Sequence, residues 1–208
     1  MRGAIIRSPV NHSKPLSREE IADFVRRLDS YGGNRTTAIA LRLLLLTFVR
    51  TVEMRKAEWS EFNFDQPEWR IPAAKMKMRR IHIVPLARST VDLLLELRQI
   101  TGAGRWLFPN TRRPHDVMSA TTVNRVLEYM GYASGAVTGH DFRATASTRL
   151  HEMGFRSEFI ELQLAHVERN RVKTAYNHAD YLPERRQMVQ AWADWLDGIA
   201  AADKGSVR

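Results

Sequence analysis

The sequence predicts a mainly α-helical fold that carries one small antiparallel β-hairpin. Three observations predict it. Apolar residues recur at helical spacing along most of the chain, as in Ile21, Phe24, Val25 and Leu28. A capping signature marks the first helix start, where Ser17 is followed three residues later by Glu20. One stretch breaks the helical pattern: WRIP (69–72) and IHIV (81–84) have strand character and flank the basic run KMKMRR.

Residues 1–16 contain Pro9 and Pro15 and read as an extended leader. Ser17 opens a helix that Gly32-Gly33 end. A second helix is predicted over 35–50; it is apolar on most sides, which places it centrally. A short helix over 52–58 precedes the hairpin, whose tip is basic. Helices resume over 89–101, 120–130, 141–153, 157–164 and 183–196. Pro183 suits a first-turn position, where its missing N–H leaves no bond unmade. Met188, Trp192, Trp195 and Leu196 line one stripe of the last helix. No internal repeat, low-complexity segment or domain-sized linker is found. One domain over 17–197 is expected, with 198–208 as a flexible C-terminal tail.

Composition narrows the function. The chain has 208 residues, with 32 Lys and Arg against 23 Asp and Glu, for a formal net charge of +9. That balance favours a polyanionic partner, either nucleic acid or an anionic membrane surface. The longest strongly apolar run, LLLLTFV (43–49), is too short to span a bilayer. The N-terminal MRGAIIRSPVNHSKPLS has no secretory pattern. The chain has no cysteine, which removes disulfides, thiolate zinc sites and cysteine nucleophiles.

Four places hold residues suited to phosphate chemistry. In FVRTVEM, Arg50 ends an apolar helix and Glu53 follows at a spacing that lets the carboxylate orient the guanidinium. A surface ion pair is the plain alternative. In the hairpin tip, Lys77 can reach a phosphate, with Lys75, Arg79 and Arg80 as backbone contacts beside it; a solvated turn is the alternative. In TGHDFR, His140 and Arg143 share a helix face near a helix N-terminus, which itself favours anions. A capped helix start with a chance histidine is the alternative there. The last is LAHVERNRVKTAYNHADY (164–181), with His166, Arg169, Arg171, Lys173, Tyr176 and Tyr181. The histidines lack metal-ligand spacing, and no Gly-rich phosphate loop is present.

The order Arg50, Lys77, His140-x-x-Arg143, His166, Tyr176 resembles the catalytic domain of tyrosine recombinases, the phage integrase family. Lys77 precedes Val84-Pro85-Leu86 by seven residues, as the hairpin lysine of that family does, and Tyr176 follows His166 by ten. WRIPAAKMKMRRIHIVPL, TGHDFRATAST and QLAHVERNRVKTAYNHADYLPERR look most like integrases of prophages and genomic islands. The likeness covers roughly 17–197. Two departures stand out. The family's N-terminal core-binding and arm-binding domains have no counterpart in this chain. Val49 and Ala165 stand where many relatives have glycine.

The resemblance implies the DNA breaking-rejoining enzyme fold and site-specific recombination through a 3′-phosphotyrosyl intermediate. It implies Tyr176 as nucleophile, His140 as proton acceptor, Arg50, Arg143 and His166 as donors to the phosphate, and Lys77 as the acid for the leaving oxygen. Glu53 would hold Arg50. Lys75, Arg79, Arg80, Arg169, Arg171 and Lys173 would contact DNA. No metal and no cofactor is implied. The implied partner is double-stranded DNA at attachment sites, in the bacterial cytoplasm, with a tetramer on DNA and a monomer or weak oligomer without it. Accessory DNA-bending or excisionase proteins are further expected partners. The apolar stripe of the last helix has two readings, core of its own chain or a tail docked on a neighbouring protomer; the first is preferred. For Tyr181, packing is preferred over catalysis. The rival functions are a decayed integrase fragment that binds DNA without recombining and, further off, a type IB topoisomerase.

Overall fold

The computed structural model describes residues 14–77, 79–166 and 181–205. At its N-terminal edge, Leu16 is buried, its N–H donating to Thr145 Oγ1 at 2.8 Å. Ser17 caps α1 (Arg18–Asp29) reciprocally with Glu20, as the sequence pattern requires. Ile21, Phe24, Val25 and Leu28 of α1 face inward.

The central helix is α2 (Arg35–Thr47), opened by Asn34, whose side chain accepts from the Thr37 N–H. Between Thr37 and Thr47 every residue but Arg42 is buried. The helix stops earlier than its composition suggests. Phe48 takes a left-handed conformation, with φ of 43°, and turns the chain into α3 (Thr51–Arg55).

Three antiparallel strands follow: β1 (Phe62–Asn63), β2 (Glu68–Ile71) and β3 (His82–Pro85). Trp69 pairs with Val84 and Ile71 with His82, so the predicted hairpin is present. The two-residue β1 is an addition that no periodicity announces. It pairs Phe62 with Trp69, and their rings stack at 5.1 Å.

The remaining helices are α4 (Arg88–Thr101), α5 (Thr122–Tyr129), α6 (Gly139–Glu152), α7 (Ser157–Gln163) and α8 (Leu182–Gly205). α2 packs against α4, α5, α6 and α8, and α8 also lies on α1 and β3. One correction concerns the C-terminus. Residues 198–205 are helical, and Ile199 is buried, so a flexible tail does not begin at 198. Met188, Val189, Trp192, Ala193, Leu196 and Ile199 bury their side chains within the chain, which favours the intramolecular reading of that stripe. No helix among the described residues is long and apolar enough to cross a membrane.

Candidate active site

The site is organised around the C-terminal turn of α7. Leu164 caps the helix, and Ala165 adopts a left-handed conformation with φ of 49°. The His166 N–H donates to Glu161 O at 3.0 Å and the Ala165 N–H to Leu162 O at 3.1 Å. This pair of bonds closes the helix, and the terminal carbonyls carry the negative end of its dipole. Those carbonyls attract cations from elsewhere in the chain. Leu164 O accepts from Arg143 Nη2 at 2.7 Å, and Ala165 O accepts from Arg50 Nη2 at 3.1 Å. Because a left-handed alanine is strained where glycine is not, Ala165→Gly should stabilise the fold by about 1 kcal/mol. Thermal unfolding should then shift upward by about 2–4 °C.

Both arginines are held from behind. The turn after α2 presents Phe48 O, which accepts from Arg143 Nη1 at 2.5 Å. Arg50 sits at the N-terminal edge of α3. Its N–H donates to Glu53 Oε2 at 2.8 Å and its Nη1 to Glu53 Oε1 at 2.7 Å. Glu53 is buried, so this is an orienting pair rather than a solvated one. Gly139 lets α6 approach: an added Cβ would lie 2.4 Å from Thr51 Oγ1. Burial, and then the nearby Arg50 charge, push the Arg143 guanidinium down to about 10, while Glu53 and Glu161 oppose that. Arg143 therefore remains charged at neutral pH. Among the described residues each guanidinium engages two of its five N–H donors through the side chain, leaving others to grip an anion.

His140 is exposed in the first turn of α6, one turn before Arg143. His166 is also exposed; its Nδ1 lies 2.6 Å from Glu161 Oε2, which leaves Nε2 for a ligand. Lys77, Arg79 and Arg80 lie exposed in the connection between β2 and β3. Lys75 is placed differently from the sequence reading. Its Nζ donates to Lys56 O at 2.7 Å and to Glu58 Oε1 at 2.8 Å, and also pairs with Glu61. Arg105 and then Lys75 hold the Glu58 carboxyl down at about 2. Lys75 and the buried Met76 thus pin the loop base, and Lys75 is not a free phosphate contact. Tyr176, Arg169, Arg171 and Lys173 lie outside the described residues. Tyr181 packs on Phe159 with ring centres 5.0 Å apart, in keeping with a packing role. Among the described residues no cluster of three or more metal-ligating side chains occurs.

Comparison with known proteins bears on the family and the fold. Residues 12–182 match the Phage integrase family. The chain belongs to that family. The Integrase of Enterobacteria phage P4 is 44% identical over 212 residues, covering 95% of this chain and 48% of that protein. Prophage integrase IntA of Escherichia coli (strain K12) is 36% identical over 206 residues, covering 99% of this chain and 49% of that protein. The chain spans about half the length of the curated relatives it matches. In fold it is similar to the integrase from mycobacterium phage Brujita, with a TM-score of 0.66 and 15% identity over 88% of this chain and 59% of that one. It is also similar to a lambda integrase dimer bound to a COC′ core site, with a TM-score of 0.58 and 21% identity, covering 78% of this chain and 60% of that one. The fold is that of a tyrosine recombinase catalytic domain.

Sequence reasoning about this integrase-family domain missed three buried side chains beside the arginines: His82, Gln163 and Arg185. A usable signal existed for one of them. Arg185 in LPERR lies in the first turn of a helix, where a cation opposes the dipole and so needs another reason to be there.

Proposed function

We propose that this domain catalyses site-specific DNA strand exchange for integration or excision of a prophage or genomic island. The observation that carries the reading is the side-by-side placement of Arg50 and Arg143 at one helix end, beside His166. Two guanidiniums with spare donors match the non-bridging oxygens of a phosphodiester, whose charge grows in the transition state.

Tyr176 is the proposed nucleophile. Its phenolic oxygen attacks phosphorus and becomes a 3′-phosphotyrosyl ester, while the phenolic proton passes to His140. A phenol has an ordinary pKa of about 10, so a proton acceptor and nearby cations are needed at neutral pH. The bond to the 5′ oxygen breaks, and Lys77 protonates that oxygen. Reversal by another 5′-hydroxyl reseals the strand, and the ester conserves the bond energy between the two steps. Arg79, Arg80, Arg169, Arg171 and Lys173 are the proposed DNA backbone contacts; Lys75 leaves that set because its ammonium is taken. Double-stranded attachment-site DNA in the bacterial cytoplasm, a tetramer on that DNA, and accessory DNA-bending or excisionase proteins complete the reading.

The test uses nicked suicide DNA, with this chain and with a longer form spanning the full length of its relatives. A denaturant-resistant protein–DNA adduct is expected. Tyr176→Phe should abolish the adduct while changing DNA affinity less than about twofold, since the phenol's work is chemical rather than binding. Salt-sensitive binding with no adduct in either form would instead favour a DNA-binding fragment.

A further inference from the structure

Three polar side chains that the reaction above does not use meet behind the arginine pair. They are His82 in β3, Gln163 at the end of α7 and Arg185 in the first turn of α8. Their exposures are 8%, 0% and 5%. Arg185 Nη2 donates to Ile83 O at 2.6 Å and to Gln163 Oε1 at 2.7 Å. His82, next to Ile83 in β3, is buried against the main chain of Gln163. Its Nε2 has no partner among the described residues. The next two carbonyls after Gln163, those of Leu164 and Ala165, hold Arg143 and Arg50.

Stability alone does not account for this cluster. His82 Nε2, Gln163 Nε2 and Arg185 Nε are buried without partners among the described residues. Each such atom costs stability, and apolar side chains of similar volume would fill the space at less cost. Native proteins tolerate such groups where they serve a function. The three also come from the elements that carry the chemistry. β3 follows the Lys77 loop, α7 leads to His166, and α8 follows the segment that holds Tyr176.

We propose that His82, Gln163 and Arg185 are positioning residues that set the terminal carbonyls of α7, and through them the placement of Arg50 and Arg143. The role rests on the strand-exchange reading for its effect on rate, though not for its effect on geometry. It requires a neutral imidazole. The cations facing His82 are Arg185 from α8, Arg50 from the α2–α3 junction and Arg143 from α6; the carboxylates of Glu53 and Glu161 act on Arg143. Burial first, and those cations next, push His82 down to about 3. A proton there would place a fourth positive charge among three.

The decisive variant is Gln163→Met, which keeps volume and main-chain carbonyls but deletes the acceptor for Arg185. Its thermal midpoint should stay within about 3 °C of the parent, because the change conserves packing. DNA affinity should hold within about threefold, while adduct formation on nicked suicide DNA should slow by about tenfold or more, as expected for displaced catalytic groups. Gln163→Glu, which keeps an acceptor oxygen, should recover most of that rate. A second readout needs no activity: the guanidinium Nε–H resonances of Arg50 and Arg143 should move in Gln163→Met and return in Gln163→Glu. Imidazole ¹⁵N shifts of His82 should stay those of the neutral ring down to pH about 5, well below the ordinary histidine value of about 6.5. If the parent forms no adduct, the strand-exchange reading fails while the resonances still decide the positioning role. Unmoved arginine resonances in Gln163→Met, or a His82 that titrates near its ordinary value, would overturn it.

Discussion

Arg143→Lys should lower adduct formation on nicked suicide DNA by about 10²–10³-fold, the usual cost of losing one preorganised donor set. Arg143 reaches Phe48 O and Leu164 O from the two ends of one planar group. A lysine has one ammonium and cannot bridge both carbonyls while also facing a phosphate. Charge is the second loss. Burial and Arg50 already pull the guanidinium down to about 10. A lysine starts lower, at about 10.4, so the same site drives it towards the neutral form. DNA affinity should change far less than rate, because the proposed backbone contacts, the exposed Arg79 among them, are left intact. Single-turnover adduct formation beside salt-titrated binding separates the two effects. A variant within tenfold of the parent rate would remove Arg143 from the reacting centre.

Trp192→Ala should destabilise the domain by about 3–5 kcal/mol, the range for truncating a buried aromatic. Thermal unfolding should fall by roughly 6–20 °C. Trp192 is fully buried, its indole N–H donates to Leu45 O at 2.9 Å, and its ring meets Phe48 edge-on at 6.3 Å. Phe48 is the residue whose carbonyl holds Arg143. The loss should therefore reach the site, and activity should fall even below the new unfolding temperature. Unfolding followed by circular dichroism, with adduct rate measured at 20 °C below the midpoint, checks both parts.

Much of this arrangement is legible in the residue string, for physical reasons that differ by element. α2 declares itself because RTTAIALRLLLLT has almost no polar face to offer solvent. His140 and Arg143 fall on one helix face by spacing alone, and Arg50 with Glu53 by the same rule. Main-chain acceptors are another matter. Phe48 O, Leu164 O and Ala165 O have no side-chain signature, so the anchorage of both arginines appears only in three dimensions. β3 misleads in a different way. Alternation in IHIV suggests that the isoleucines point inward and the histidine outward. The structure differs: Ile81, just before β3, is 57% exposed, His82 is 8% exposed, and Ile83 is half-buried. Lys75 was legible as a charge but not as a paired one, because Glu58 and Glu61 come from before the strands. The end of α8 is hidden by its composition, where IAAAD leaves one large apolar residue, Ile199, to report burial.

The way α8 is seated sets the cost of detaching it from the rest of the domain. Trp192 and Ile199 are spent inside their own subunit. Exchanging this helix between neighbours would mean first peeling both from the interior and losing their burial.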